Sequence, residues 1–149
     1  MSTAYPDLPA AMVGWLRSSP GVVSAVGEHV GALKIWAEAA PRGVELPWVV
    51  YQERDAELQY MTQTAGLVSV LESGTIRLFV VAAGKKQARD LARTIRRALD
   101  DAPLLFADGQ LMHLRGRESH FASARDIAPD HPTAHAATID FAFMVSRTG

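Results

Sequence analysis

The sequence predicts an α+β domain: an antiparallel β-sheet carrying a long β-hairpin, with two main helices packed on one face. Two segments lead to this reading. Residues 75–82 (Thr-Ile-Arg-Leu-Phe-Val-Val-Ala) alternate at first and then become apolar throughout, as in a central strand covered on both sides. Directly after the turn at Ala83 and Gly84, residues 85–99 place Ala88, Leu91, Ala92, Ile95, Ala98 and Leu99 at three-and-four spacing, with six basic residues on the remaining positions. A third observation sets the class: apolar and polar residues alternate over 137–146, giving a closing strand with one apolar face.

The 149 residues form a single domain, 1–149, with 48% hydrophobic and 21% charged residues, enough for one core. Fifteen basic against 16 acidic residues leave a formal charge of -1, so no global field draws nucleic acid or an anionic membrane. The absence of cysteine excludes disulfide scaffolds, thiolate zinc sites and cysteine nucleophiles. With no basic-then-apolar leader and no apolar run near eighteen residues, the chain reads as soluble and not exported through a signal peptide.

In chain order, Leu8, Ala11, Met12, Trp15 and Leu16 hold helical spacing, and Asp7 suits a helix start, so a helix is predicted over 7–17. Ser18, Ser19, Pro20 and Gly21 stop it, and a second short helix or turn is expected at 22–26. A short strand at 33–37 and a Pro/Gly loop at 41–47 precede a β-branched, aromatic strand at 48–54. The following residues admit two short hairpins or one long one. The long one is favoured: residues 48–61 pair with 68–82 about a turn at 63–66, setting Val50 near Val80 and Tyr51 near Phe79. Its tip, with Gln59, Tyr60, Gln63 and Leu67, reaches beyond the body of the domain, and Ser73 and Gly74 form a bend or bulge in its second strand. After the 85–99 helix, 110–117 reads as a strand and about 119–134 as a long loop carrying Pro129 and Pro132, of the kind that is mobile or engaged with a partner.

Catalytic and metal chemistry find little footing. His131 and His135 stand four apart beside Asp126 and Asp130, but Pro132 and the strand that follows deny them a shared helix face. Ser119 and His120 have no Gly-x-Ser-x-Gly elbow around them. The Ala82–Lys86 junction has a single glycine and no Ser or Thr after its lysines, which reads as a tight turn and not a phosphate loop. The stripe of Lys85, Lys86, Arg89, Arg93, Arg96 and Arg97 reads as a solvated face or subunit contact, with phosphate tracking as the alternative. Arg96 with Asp100 and Arg97 with Asp101 are expected i to i+4 pairs. Trp15, Trp36 and Trp48 are expected in the core, an exposed one marking an interface.

The order of a short N-terminal helix, a loop ending in Leu46-Pro-Trp-Val-Val-Tyr51, the strand 75–82 and a helix with Ala88, Leu91, Ile95 and Leu99 resembles the tail-terminator or tail-completion proteins of long-tailed bacteriophages. The resemblance spans most of the chain. It implies a structural α+β subunit of the virion that closes into a homo-oligomeric ring, typically a hexamer, on the last ring of the tail tube. Such a ring ends tube growth and makes the tail competent for head-tail joining. It implies no catalytic residues, no cofactor and no metal, and no membrane. The implied partners are further copies of the chain, the tail tube protein and the head-tail connector protein, with DNA only passing through the lumen. Assembly would take place in the host cytoplasm. The resemblance maps Gln59, Tyr60, Gln63 and Leu67 to contacts with the tube or neighbours, while Arg89, Arg93, Arg96, Arg97, Phe121 and Arg125 are candidate subunit-interface residues. Three readings compete: a connector or stopper of the neck, a small ligand-binding or enzymatic α+β domain outside phages, and a nucleic-acid binder using the arginine stripe.

Overall fold

A computed structural model describes residues 7–62, 68–106, 109–124 and 127–148; residues 55–62, 68–70, 109, 112, 119–123, 147 and 148 are described by their backbone alone. The elements are α1 (Leu8–Arg17), α2 (Pro20–Val26), β1 (Glu28–His29), β2 (Ala32–Leu33), β3 (Ile35–Ala37), β4 (Trp48–Thr62), β5 (Val68–Ala82), α3 (Lys85–Leu99), β6 (Leu105–Phe106), β7 (Gly109–Ser123) and β8 (His135–Thr148). Six strands form one sheet in the order β3-β4-β5-β8-β7-β6, and β1 and β2 form a separate two-stranded ribbon.

Three helices lie on one face of the sheet, one more than the two main helices expected. Asp7 is not the first residue of α1 but its N-cap, its Oδ1 accepting from the Ala10 amide at 2.9 Å, which satisfies one of the donors every helix start leaves free. The segment expected as a helix or turn is the helix α2. Pro20 suits its first turn, Val22 and Val26 lie one turn apart and are buried, and Gly27 at φ +83° ends it. α3 has the bounds its periodicity predicts, with Ala88, Leu91, Ala92, Ile95 and Leu99 buried.

The sheet is mixed, which corrects the expectation of antiparallel pairing alone: β3 runs parallel to β4, with Ile35 opposite Val49 and Ala37 opposite Tyr51. The reason lies in the connection 38–47, which crosses the face away from the helices, buries Val44 there, and returns the chain to the end where β3 began. The strand expected at 33–37 is two pieces, since Lys34 turns its side chain inward and donates to the Glu45 carbonyl at 2.9 Å. Leu33 before it closes the β1–β2 ribbon and Ile35 after it joins the main sheet.

β4 and β5 are 15-residue strands that pair antiparallel from Trp48 opposite Val81 to Thr62 opposite Val68. The residues expected to turn between them, 63–67, lie outside the described residues. Near that end the pairing keeps the expected register, with Leu58 opposite Glu72. Below it, residues 55 and 56 of β4 together face Gly74, so every later pair moves by one: Val50 meets Phe79 and Tyr51 meets Leu78. The irregularity expected in β5 at Ser73 and Gly74 therefore sits in the opposite strand, with the glycine as its partner. β8 follows β5 from Ala82 opposite His135 to Ser69 opposite Thr148, so the β4–β5 pair is not a lone ribbon but part of a long four-stranded sheet completed by β7.

β7 reaches Ser123, so the long loop expected over about 119–134 shrinks to the residues after it. What remains of that loop is anchored. Ala124, Ala128, Ala134 and Ala136 pack with Trp48, Val50, Phe79, Val81 and Val44 into a second buried cluster, opposite the larger core that the helices form with Val49, Ile76, Leu78, Val80, Ile139 and Phe141. Counting only large apolar residues hides this cover, because alanines let a loop approach a sheet closely without advertising burial.

Candidate assembly surfaces

Among the described residues of β4 and β5 the buried side chains lie near one end of the sheet, while β8 beside them stays buried as far as Val145, opposite Glu72. On β5, residues 76–82 are all buried except half-buried Arg77, while 71–75 are all half-buried. On β4, Trp48, Val49 and Val50 are buried, whereas Glu53 and Arg54 are exposed. A 15-residue strand is about 50 Å long, and a 15-residue helix about 22 Å, so α3, which starts at the covered end, cannot roof the whole sheet. The strands outrun the layer that buries them.

Of the expected tip residues, Gln59 and Tyr60 are in β4, opposite Leu71 and Val70. Gln63 and Leu67 lie outside the described residues. Of the expected interface residues, Phe121 sits in β7 where its pairing with β8 is interrupted between Ser119 and Ala122, and Arg125 lies outside the described residues.

The basic helix face is largely tied into the chain's own ion pairs. Arg96 donates to Asp100 at 2.9 Å and to Glu118 on β7 at 3.2 Å, and Arg93 stands 4.0 Å from the same glutamate. Lys86 pairs with Asp90 at 2.9 Å, a contact that with the flanking Arg93 and Arg89 holds the Asp90 carboxyl below its ordinary range. Asp101 pairs with Arg115 of β7 and not with Arg97 as expected, because Asp101 adopts a positive φ and turns toward the sheet edge. Arg89 and Arg97 are exposed on the outer face.

On the other face, the loops around residues 38–47 and 127–134 are clasped together. His131 Nε2 donates to the Val44 carbonyl at 2.9 Å, and the Gly43 amide donates to Asp130 at 3.2 Å. His131 is thus a loop fastener, and among the described residues no three potential ligands gather as a metal centre would require. Beside the clasp lies a cleft of about 310 Å³ walled by Glu38, Arg42, Trp48, Gln52, Ile127 and Asp130 among others, invisible in the sequence because its walls come from two loops far apart in the chain. Gly84 caps α3 with extended backbone, the tight turn expected there.

The tryptophans divide. Trp48 is buried, Trp15 is half-buried with Nε1 donating to the Ala98 carbonyl at 2.7 Å, and Trp36 is half-buried with its ring edge-on to His29 at 6.1 Å. On the helix side of β4 the Tyr51 phenol is pushed up, first by burial and then by the carboxylates of Asp7, Glu53 and Glu38, against the opposing charge of Arg17.

Sequence reading missed the two outer strand edges. β3 pairs β4 only as far as Tyr51, and β6 pairs β7 only at Gly109 and Gln110. The turn after α3 adds two bonds to β7: the Asp101 amide to the Leu114 carbonyl at 3.2 Å, and the Gly116 amide to Asp100 Oδ1 at 2.7 Å. Among the described residues nothing pairs the outer edge of β4 from Glu53 onward or that of β7 from Arg117 onward. No helix is long and apolar enough to cross a membrane.

Comparison with known proteins fits this picture. The family described as "Tail completion protein gp17" matches residues 10–146. A search of curated proteins finds no match. Among solved structures, a chain of the "Virion of native gene transfer agent (GTA) particle" superposes with a TM-score of 0.61 at 20% identity, covering 95% of each chain, which extends the likeness to the fold of the whole domain.

Proposed function

The chain belongs to the family of tail completion protein gp17 and is a phage tail structural protein, and from that premise we propose that it caps the tail tube as a ring, most simply of six copies, ends tube growth and presents the surface for head-tail joining. It acts by fitting and not by catalysis, and it assembles in the host cytoplasm before entering the virion. Its partners are its own copies, the tube protein below and the connector protein above, with DNA passing through the lumen.

The observation that carries this reading is the sheet that outruns its helices. Strands β4 and β5 continue past Glu53 and Thr75 with no described buried side chain, and an isolated domain has no use for about 25 Å of half-covered strand. With 63–67 as its turn, the β4–β5 pair makes a hairpin arm whose tip, Gln59, Tyr60, Gln63 and Leu67, meets the tube or the adjoining subunit. Arg89, Arg93, Arg96, Arg97, Phe121 and Arg125 flank the contact between neighbours.

Deleting the gene and imaging the particles tests the role. Overlong tails without heads are expected; tails of normal length beside heads that leak DNA would reassign the protein to the neck connector. Shortening the arm separates folding from function. Replacing residues 59–71 by Asn-Gly joins Leu58 to Glu72 through a two-residue turn that suits a hairpin. The shortened protein is expected to melt within a few degrees of the parent by circular dichroism, yet to leave tails unterminated in complementation.

A further inference from the structure

We propose that adjacent copies join head to tail through the β1–β2 ribbon, which docks, with Val30 leading, on the flank that α3 and β7 form in the next copy. This rests on the reading of the chain as a ring-forming subunit and names the surface that closes the ring.

The first argument is the ribbon itself. Glu28 and His29 pair with Leu33 and Ala32, leaving Val30 and Gly31 as a two-residue turn with φ of +53° and +76°. Positive φ at both positions marks the type I′ hairpin turn, which favours Asn-Gly, and a side chain branched at Cβ fits its first position poorly. Val30 is also 90% exposed, the highest value among the exposed large apolar residues described. A lone exposed valine is ordinary on a surface, but one that strains the turn carrying it gives the isolated chain nothing that asparagine would not give better. A partner that buries the side chain supplies the missing reason.

The second argument is height along the sheet. β2 leads into β3; the Lys34 amide donates to the Gly27 carbonyl and the Val49 amide donates to the Lys34 carbonyl, so the ribbon stands on the β3 side at the Trp48 end of the sheet. Through the strand registers Trp48 is level with Val81, Ala136 and Ala122, so the part of β7 at that height is the stretch after Arg117, beside which no outer strand lies among the described residues. Next to it runs α3, which begins at Lys85 where β5 has ended and whose Arg93 stands 4.0 Å from Glu118 of β7. Ribbon and flank are thus at one height on opposite sides of the subunit. A rotation about an axis along the strands, with no rise, brings them together, and its repetition closes into a ring.

The third argument is charge. On the ribbon side Glu28, Glu38 and Glu45 are exposed against the exposed Arg42, while on the flank Arg89, Arg93 and Arg117 are exposed against the half-buried Glu118. Two ribbon sides repel each other, as do two flanks, and an unlike pair attracts. The pattern disfavours a two-fold dimer through like sides and selects the head-to-tail contact.

Val30→Asn puts the favoured pair into the turn. The variant is expected to melt at or above the parent temperature by circular dichroism, yet to self-associate at least tenfold more weakly in sedimentation. A variant that melts well below the parent, or one that associates like the parent, overturns the proposal, as does a parent chain that stays monomeric at every concentration. The chain has no cysteine, so introduced thiols are unique. With a short bismaleimide, co-expressed Val30→Cys and Arg89→Cys chains are expected to give a covalent dimer on a denaturing gel, while either variant expressed alone stays monomeric. Dimers from either variant alone, a dimer formed as readily with Arg54→Cys in place of Arg89→Cys, or a native assembly of unchanged mass in which the mixed chains give none, would overturn this contact and leave the capping ring standing. A dimer from the mixed chains of a protein whose gene deletion leaves tail length normal would instead overturn the capping role and leave the contact standing.

Discussion

The two ends of β5 form a contrast within one strand. From Ile76 to Ala82 it lies between two buried layers, helices on one side and loops on the other; from Leu71 to Thr75, with the same backbone pairing to β4 and β8, none of its side chains is buried. Hydrogen bonding is continuous along the strand, and burial is not. Since burial of apolar surface supplies most of the favourable term in folding, the covered end holds the fold and the uncovered end is left available for contacts outside the chain.

If that division is right, the largest losses of stability should come from the covered end. Phe141 of β8 is fully buried beneath α3, and Phe141→Ala is expected to cost about 3–5 kcal/mol in denaturant unfolding. Gly116 of β7 tests the same packing from the opposite direction. A Cβ there would stand 2.6 Å from Phe141 Cε1 and 2.9 Å from Arg96 Cγ, so Gly116→Ala must displace a buried ring and an arginine held by two carboxylates. The expected cost is about 1–3 kcal/mol. A Gly116→Ala protein as stable as the parent would mean that the α3–β7 contact is looser than these distances imply.

The contrast also explains what the sequence made legible. α3 was readable to its ends because one helix carries its whole pattern, Ala88 to Leu99 on one side and charge on the other. The central place of β5 was readable from its unbroken apolar run, and the expected register was right at the Leu58–Glu72 end of the pairing. It failed below the bulge, since an extra residue in β4 opposite Gly74 leaves no mark in hydrophobic alternation. The parallel β3 and the loop cover failed for a different reason. Both depend on where a ten-residue connection and an alanine-rich segment lie in space, and Ala124, Ala128 and Ala134 look in sequence like any solvated loop. The residues expected at contacts were read from charge, as the Arg89 to Arg97 stripe, and from the long strand pairing, as Gln59, Tyr60, Gln63 and Leu67. The structure ties Arg93 and Arg96 to Glu118, and the open edges are properties of strand order that no single segment encodes.

The loop-covered face sharpens the comparison at a smaller scale. His131→Ala removes the donor to the Val44 carbonyl while leaving the alanine packing beneath it, so a cost of about 0.5–1.5 kcal/mol is expected, the usual net value of one hydrogen bond. Faster amide exchange should be confined to residues near 43 and 131. Exchange that instead rises across β4 and β5 would mean the clasp supports the sheet and not just the loops.

The smallest effect belongs at the uncovered end. Arg54 is exposed, and its guanidinium donates only to Gln52 on the same strand at 3.0 Å. An exposed side chain that bridges two positions already fixed by the same backbone adds little to folding, so Arg54→Ala is expected to change unfolding free energy by less than about 0.5 kcal/mol. A variant unchanged in melting places Arg54 outside the folding core. A loss of stability comparable to that of Gly116→Ala would instead erase the distinction between the two ends of the sheet.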